Sequence, residues 1–170
     1  MGPWGALIMG FFGAIFFSLT AVVTGGLSPI ILMIPLLAFC VIAAVALQLI
    51  RRHPAGRFDP PPRIDRIISR CTTGEALGIP AVILLLTNTG HRDLILPGIA
   101  TVVGLHFLPM AYAIPSRPFG FLGGTLIAAA VIGALMPQPA GSILAGLAAA
   151  LALWIAAAFA LRRARALVAT

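Results

Sequence analysis

The chain has 170 residues, 61% of them hydrophobic and 9% charged, with a formal net charge of +7 and a mean hydropathy of +1.11. Soluble domains carry about 25% charged and roughly 45–50% apolar residues, so this composition excludes an ordinary water-soluble domain. All eleven basic side chains are arginine, which also excludes Schiff-base chemistry on a lysine amine.

Several apolar runs approach the roughly 18–20 residues that cross a bilayer. The expected architecture is therefore an all-α, polytopic transmembrane bundle of six helices, a single domain over residues 1–170. The first span covers about 4–23 and stops at Gly25-Gly26, glycine being the common residue just past a helix end. Its start, Met1-Gly2-Pro3-Trp4-Gly5, lacks the basic region of a cleaved signal peptide, so it is expected to stay as a helix. The second span, about 28–50, opens on Ser28-Pro29, a capping residue followed by proline at the first helical position.

An arginine-rich loop is expected over 51–72. Its first part ends in Asp59-Pro60-Pro61-Pro62, which favours extended backbone. Its second part places Ile64, Ile67, Ile68 and Cys71 on one helical face and Arg63, Arg66 and Arg70 on the others. Two readings stand: a short helix in the membrane surface with its arginines at anionic lipid headgroups, or an N-terminal extension of the third span. That span covers about 73–89 and contains Pro80. The fourth, about 93–113, has Asp93 as a candidate N-cap and contains Pro97 and Pro109. The fifth, about 118–136, follows Ser116-Arg117-Pro118, and the sixth covers about 142–161.

Six spans put ten arginines on one side, at 51–70, at Arg117 and at Arg162, Arg163 and Arg165, against Arg92 alone on the other. Cytoplasmic loops carry the excess of basic residues. Both termini are thus expected in the cytoplasm and the protein in a bacterial inner membrane. The arginines flank spans and are not interleaved with aromatics on one face, so nucleic acid is not an expected partner.

Three polar side chains stand out in the arginine-side half of the membrane: Gln48, Glu75 and His106. An ionisable residue inside the membrane normally faces the bundle interior and finds a partner. Glu75, the only glutamate, has two readings. It is either a proton- or cation-handling carboxylate or the last member of a capping box, Thr72-Thr73-Gly74-Glu75. His106 is expected about 10 Å from the end of its span at 1.5 Å per residue. It faces the interior and bonds either a group of the second or third span or a carbonyl released by Pro109.

Other chemistries lack their residues. Cys40 and Cys71 form no CxxC motif or plausible bridge. His53 and His91 lie in loops, leaving no second intramembrane histidine for haem. There is no HExxH or carboxylate cluster for a metal and no Gly-x-Ser-x-Gly elbow for a nucleophile. Thr20, Thr24, Asn88 and Thr101 are scattered. No cofactor, metal or catalytic set is expected, which points away from an enzyme. Gly120 and Gly124 form a GxxxG continuing to Ala128, a face suited to close packing within the subunit or in a homo-oligomer. The two halves of the chain show no internal repeat of the kind found in inverted-repeat transporters.

The segment Gly74-Glu75-Ala76-Leu77-Gly78-Ile79, followed by GHRDLILPGIATVVGLHFLPMA from Gly90 to Ala111, resembles a group of uncharacterised bacterial multi-pass membrane proteins. The group carries a glutamate-bearing helix, then an LPxIAxVVGLHFLPLA-like helix, then a glycine-bearing helix. Glu75, Pro97, Gly104, His106, Phe107 and Pro109 hold the corresponding places, over the central third of the chain. The resemblance implies an architecture and no mechanism. The function expected from the residues is small-molecule or ion transport or binding at Gln48, Glu75 and His106. The alternative is a structural or accessory membrane subunit without a site of its own.

Overall fold

The computed structural model describes residues 2–25, 28–52, 61–114 and 117–168, with side chains through Ala166. Among the described residues six α-helices follow one another: α1 (Pro3–Val23), α2 (Pro29–Arg52), α3 (Pro62–Asn88), α4 (Ile95–Ala113), α5 (Arg117–Leu135) and α6 (Ala140–Val168). A single 3-10 turn, Arg92–Leu94, leads into α4. All six are long and apolar enough to cross a membrane. Helices satisfy every internal backbone group within themselves, which is what hydrocarbon demands of a spanning segment. The outward face of α2 agrees with that setting: Ile30, Met33, Leu36, Leu37 and Val41 are all exposed.

The chain divides into two compact units. One holds α1, α2 and the part of α6 from Ala150 onward; the other holds α3, α4, α5 and α6 through Ala149. In the first unit, glycines on α1 admit bulky neighbours. A Cβ on Gly10 would lie 2.9 Å from Ile42 Cγ2, and one on Gly13 would lie 2.5 Å from Trp154 Nε1. The Trp154 indole uses that space to donate to the Gly10 carbonyl at 3.2 Å and stacks on Phe17 at 5.8 Å between ring centroids. A buried indole N–H normally finds such a partner. Thr20 is also satisfied, donating from its hydroxyl to the Phe16 carbonyl at 2.8 Å.

In the second unit, α4 packs against both α3 and α5. Its contact with α5 is made through glycine on both sides. A Cβ on Gly104 would lie 3.0 Å from the Gly123 carbonyl oxygen, and one on Gly123 would lie 2.8 Å from that of Gly104. Small residues let backbones approach in lipid, but the pair that does so is Gly104 with Gly123. Gly120 only nears Ala111, at 3.7 Å for a built Cβ, while Gly124 has nothing within 4 Å and Ala128 is exposed. The α5–α6 turn is closed by Gln138, which donates to the Gly133 carbonyl at 2.9 Å and accepts from the Ser142 amide at 3.0 Å. The Ser142 hydroxyl donates to the Asp93 carbonyl.

Several boundaries differ from the sequence expectation. α3 starts at Pro62, not near Thr73; of the two readings of residues 63–70 the structure adopts the N-terminal extension of the third span and not a separate surface helix. The arginine-rich loop correspondingly shrinks: Arg51 and Arg52 end α2, and 62–72 belongs to the start of α3. Pro61 is extended, with φ −51 and ψ 149, and Pro62 is the first helical residue. That suits a ring whose missing N–H is no loss in the first turn. The expected extended stretch over 53–60 lies outside the described residues, as do Gly26 and Ser116. Asp93 caps nothing; it sits inside the 3-10 turn and α4 begins two residues later. Gly25 and Gly90 adopt positive φ, 68° and 79°, just past the ends of α1 and α3, a conformation open to glycine at little cost.

Candidate functional site

The continuity of α3 decides what Glu75 is. A capping box needs its acid in the first helical turn, reaching back to the N-cap amide. Because α3 begins at Pro62, Glu75 is several turns inside the helix and Thr72 is an exposed interior residue. The capping reading is overturned. The carboxylate instead turns toward α4.

Glycines set the α3–α4 register. A Cβ on Gly98 of α4 would lie 2.6 Å from Val82 Cγ1 and 3.0 Å from Leu86 Cδ1 of α3. A Cβ on Gly78 of α3 would lie 2.9 Å from Val102 Cγ1 of α4. The two helices thus run in opposite directions with Val82 against Gly98 and Gly78 against Val102. Residues three and four apart share a helix face. One step further along that face are Glu75, three residues before Gly78, and His106, four after Val102.

They meet there. His106 Nδ1 lies 3.3 Å from Glu75 Oε2, with the two side chains only 10% and 12% exposed. The distance is that of an ion pair, but the approach is not aligned as a formed hydrogen bond, and Nδ1 has no other partner. The Pro109 alternative, in which this nitrogen bonds a freed carbonyl, is therefore not what the fold adopts. The imidazole also meets Phe107 edge-on at 5.2 Å between centroids, and Phe107 stacks on Phe119 of α5 at 5.8 Å. One side of the pair is thus closed by aromatic packing between α4 and α5.

Gln48 belongs to the other unit, where it is exposed on α2. The pair is built from α3 and α4 alone. Among the scattered hydroxyls, Thr20, Thr24 and Thr101 donate to carbonyls three or four residues back on their own helix or at its end, which accounts for them structurally. Asn88 ends α3 and is exposed. Cys40 is exposed and Cys71 half-buried, both as free thiols. Among the described residues no three of His, Cys, Asp and Glu gather as a metal-ligand set. Sequence reasoning missed Gly78 and Gly98, whose lack of side chains brings the two charged positions into reach. The signal available was a glycine three residues from Glu75, the only glutamate.

Chemically, the arrangement offers a carboxylate oxygen and an imidazole nitrogen facing each other in a medium where isolated charge is costly. No family model, curated protein or solved structure matches this chain.

Proposed function

We propose that this is a multi-pass protein of a bacterial inner membrane that binds or transports a small molecule or ion at the Glu75–His106 pair. One observation carries the reading: the two titratable side chains are nearly buried and 3.3 Å apart. The imidazole nitrogen facing the acid has no hydrogen-bond partner. Buried polar groups in folded proteins are nearly always paired, and an unsatisfied one is commonly explained by a role or a missing ligand. Titratable groups inside a membrane are costly and mark substrate or ion pathways.

The arginine distribution supports a cytoplasmic location for both termini, which puts the pair in the cytoplasmic half of the bilayer. Arg63, Arg66 and Arg70 are exposed on the first turns of α3. Their proposed surroundings are anionic headgroups, which attract basic side chains close to a membrane surface.

The test is ligand-dependent stability. Purified wild type, Glu75→Gln and His106→Ala would be melted in matched detergent with sodium, potassium, choline or acetate as probes. A ligand that binds only the native state raises stability in proportion to the logarithm of its concentration above Kd. The expected result is that at least one probe raises the wild-type Tm and leaves both variants unmoved. Equal or absent shifts in all three proteins would overturn the binding reading in favour of a purely structural pair.

A further inference from the structure

We infer that Glu75 and His106 hold one exchangeable proton between them, so that the site takes up and releases a proton as a unit. The inference rests on the reading of this pair as the functional site and names the ion it handles.

With no proton the pair is a carboxylate beside a neutral imidazole and carries −1; with two it carries +1. With one proton it is neutral overall, whether written as carboxylic acid and imidazole or as carboxylate and imidazolium. Both side chains lie at the α3–α4 contact and are about nine-tenths buried. Net charge there is disfavoured by desolvation more strongly than a neutral or internally paired state. The one-proton state is therefore the resting one.

Proton movement within the pair requires His106 Nδ1 and Glu75 Oε2, 3.3 Å apart and not aligned as a hydrogen bond, to close into one first. When the proton passes from Glu75 Oε2 to His106 Nδ1, the O–H bond breaks and its electron pair stays on the carboxylate. The Nδ1 lone pair forms the new N–H bond. Release requires an external acceptor, and water arriving from the arginine-bearing end of α3 is its chemical class.

Among the described residues of α3, α4 and α5, no carboxylate or imidazole stands between the pair and the arginine-bearing first turns of α3. On α3, the titratable or charged groups before Glu75 are Cys71, Arg70, Arg66, Asp65 and Arg63. α4 beyond His106 offers Tyr112, which is 89% exposed, and α5 offers Arg117 at its first residue. Asp65 is the only other carboxylate on these three helices and is exposed in the first turn of α3. The proton shared at the pair thus has one intramembrane acid and one intramembrane base to choose between.

The test uses the full-length protein in liposomes with His53 and His91 replaced by asparagine and the remaining histidine labelled with ¹⁵N. The Nδ1 resonance of His106 is expected to report a proton shared with an oxygen, and to move to an unshared position in Glu75→Gln. On transfer to D2O the shared proton is expected to be lost within the dead time of the exchange, while the surrounding α4 main-chain amides stay protonated. Identical Nδ1 spectra in wild type and Glu75→Gln overturn the inference. So does a shared proton that exchanges no faster than those amides. Neither result depends on the probe-binding melts, so a ligand site without an exchangeable proton, and a proton site without a ligand, are told apart.

Discussion

Gly78 of α3 faces Val102 of α4 so closely that a methyl group on the glycine would come within 2.9 Å of Val102 Cγ1. The neighbour is a short branched side chain with little freedom to turn aside. Gly78→Leu is therefore expected to push α3 away from α4, at the usual cost of overpacking, about 1–3 kcal/mol. It should also separate Glu75 from His106. Adding Val102→Ala should recover part of the lost stability, measured as unfolding in a denaturing detergent titration. Full additivity of the two changes would mean that this contact does not set the register.

The α4–α5 contact predicts a contrast among glycines on one helix. Gly123→Ala places its methyl group 2.8 Å from a backbone oxygen, while Gly124→Ala meets nothing within 4 Å. Backbone cannot rotate away as a side chain can. Gly123→Ala should destabilise by about 1–3 kcal/mol, and Gly124→Ala should be neutral or gain up to about 1 kcal/mol, the helix-propensity difference between glycine and alanine. Comparable losses at both positions would contradict the observed contact.

At the pair itself, Glu75→Gln and His106→Ala each leave one buried group without its counterpart. Breaking a buried ion pair from one side costs about 3–5 kcal/mol, whereas removing both partners is far milder. The double variant should thus be more stable than the sum of the single losses predicts, a double-mutant cycle with clear coupling. Simple additivity would show that the two side chains do not interact.

Thr72 separates the two accounts of Glu75 by a different route. Had it been an N-cap, Thr72→Ala would cost about 0.5–2 kcal/mol. As an exposed residue well inside α3, the same change should be neutral or gain a few tenths of a kcal/mol, roughly the helix-propensity difference between threonine and alanine. Thermal melts of the two proteins decide the matter.

For orientation, the thiol to label is one placed at Ser69, which is exposed; Cys71 is half-buried. With Cys40 and Cys71 replaced by serine, Ser69→Cys should resist an impermeant maleimide in intact cells and react after lysis. Thr89→Cys, exposed just past the other end of α3, should behave oppositely. Labelling of Ser69→Cys from outside would reverse the topology.

The six helices were legible in the sequence because hydrophobic length is a property of each segment by itself. The end of α1 at Gly25 and the proline opening of α2 were legible for the same reason: turn and cap chemistry is local. Glu75 was not. Thr72-Thr73-Gly74-Glu75 satisfies a four-residue capping pattern and competes with the helical spacing of Ile64, Ile67, Ile68 and Cys71, which also fits an N-terminal extension of the third span. That spacing shows a helix over 63–70 but not whether it runs unbroken into the span. That His106 would turn inward followed from the cost of leaving an imidazole in lipid. Span position grouped Glu75 with it, but that the two side chains meet did not follow, because Gly78 and Gly98 set that meeting from two different helices. The GxxxG on α5 does not carry the packing seen within this subunit: its glycines share a helix, whereas the close backbone contact joins Gly104 of α4 to Gly123 of α5.

The alanine-rich sequence of α6 has a consequence of another kind. Ala145, Ala149, Ala150 and Ala157 are completely buried, and Ala160 nearly so. Alanine has no side-chain rotamers to lose on ordering, whereas a buried leucine or isoleucine gives up about 0.5–1 kcal/mol of conformational freedom. Along most of its buried face, then, α6 is fixed in place with almost no side-chain entropy surrendered. Replacing these alanines with larger apolar residues would add surface contact only by reintroducing that loss.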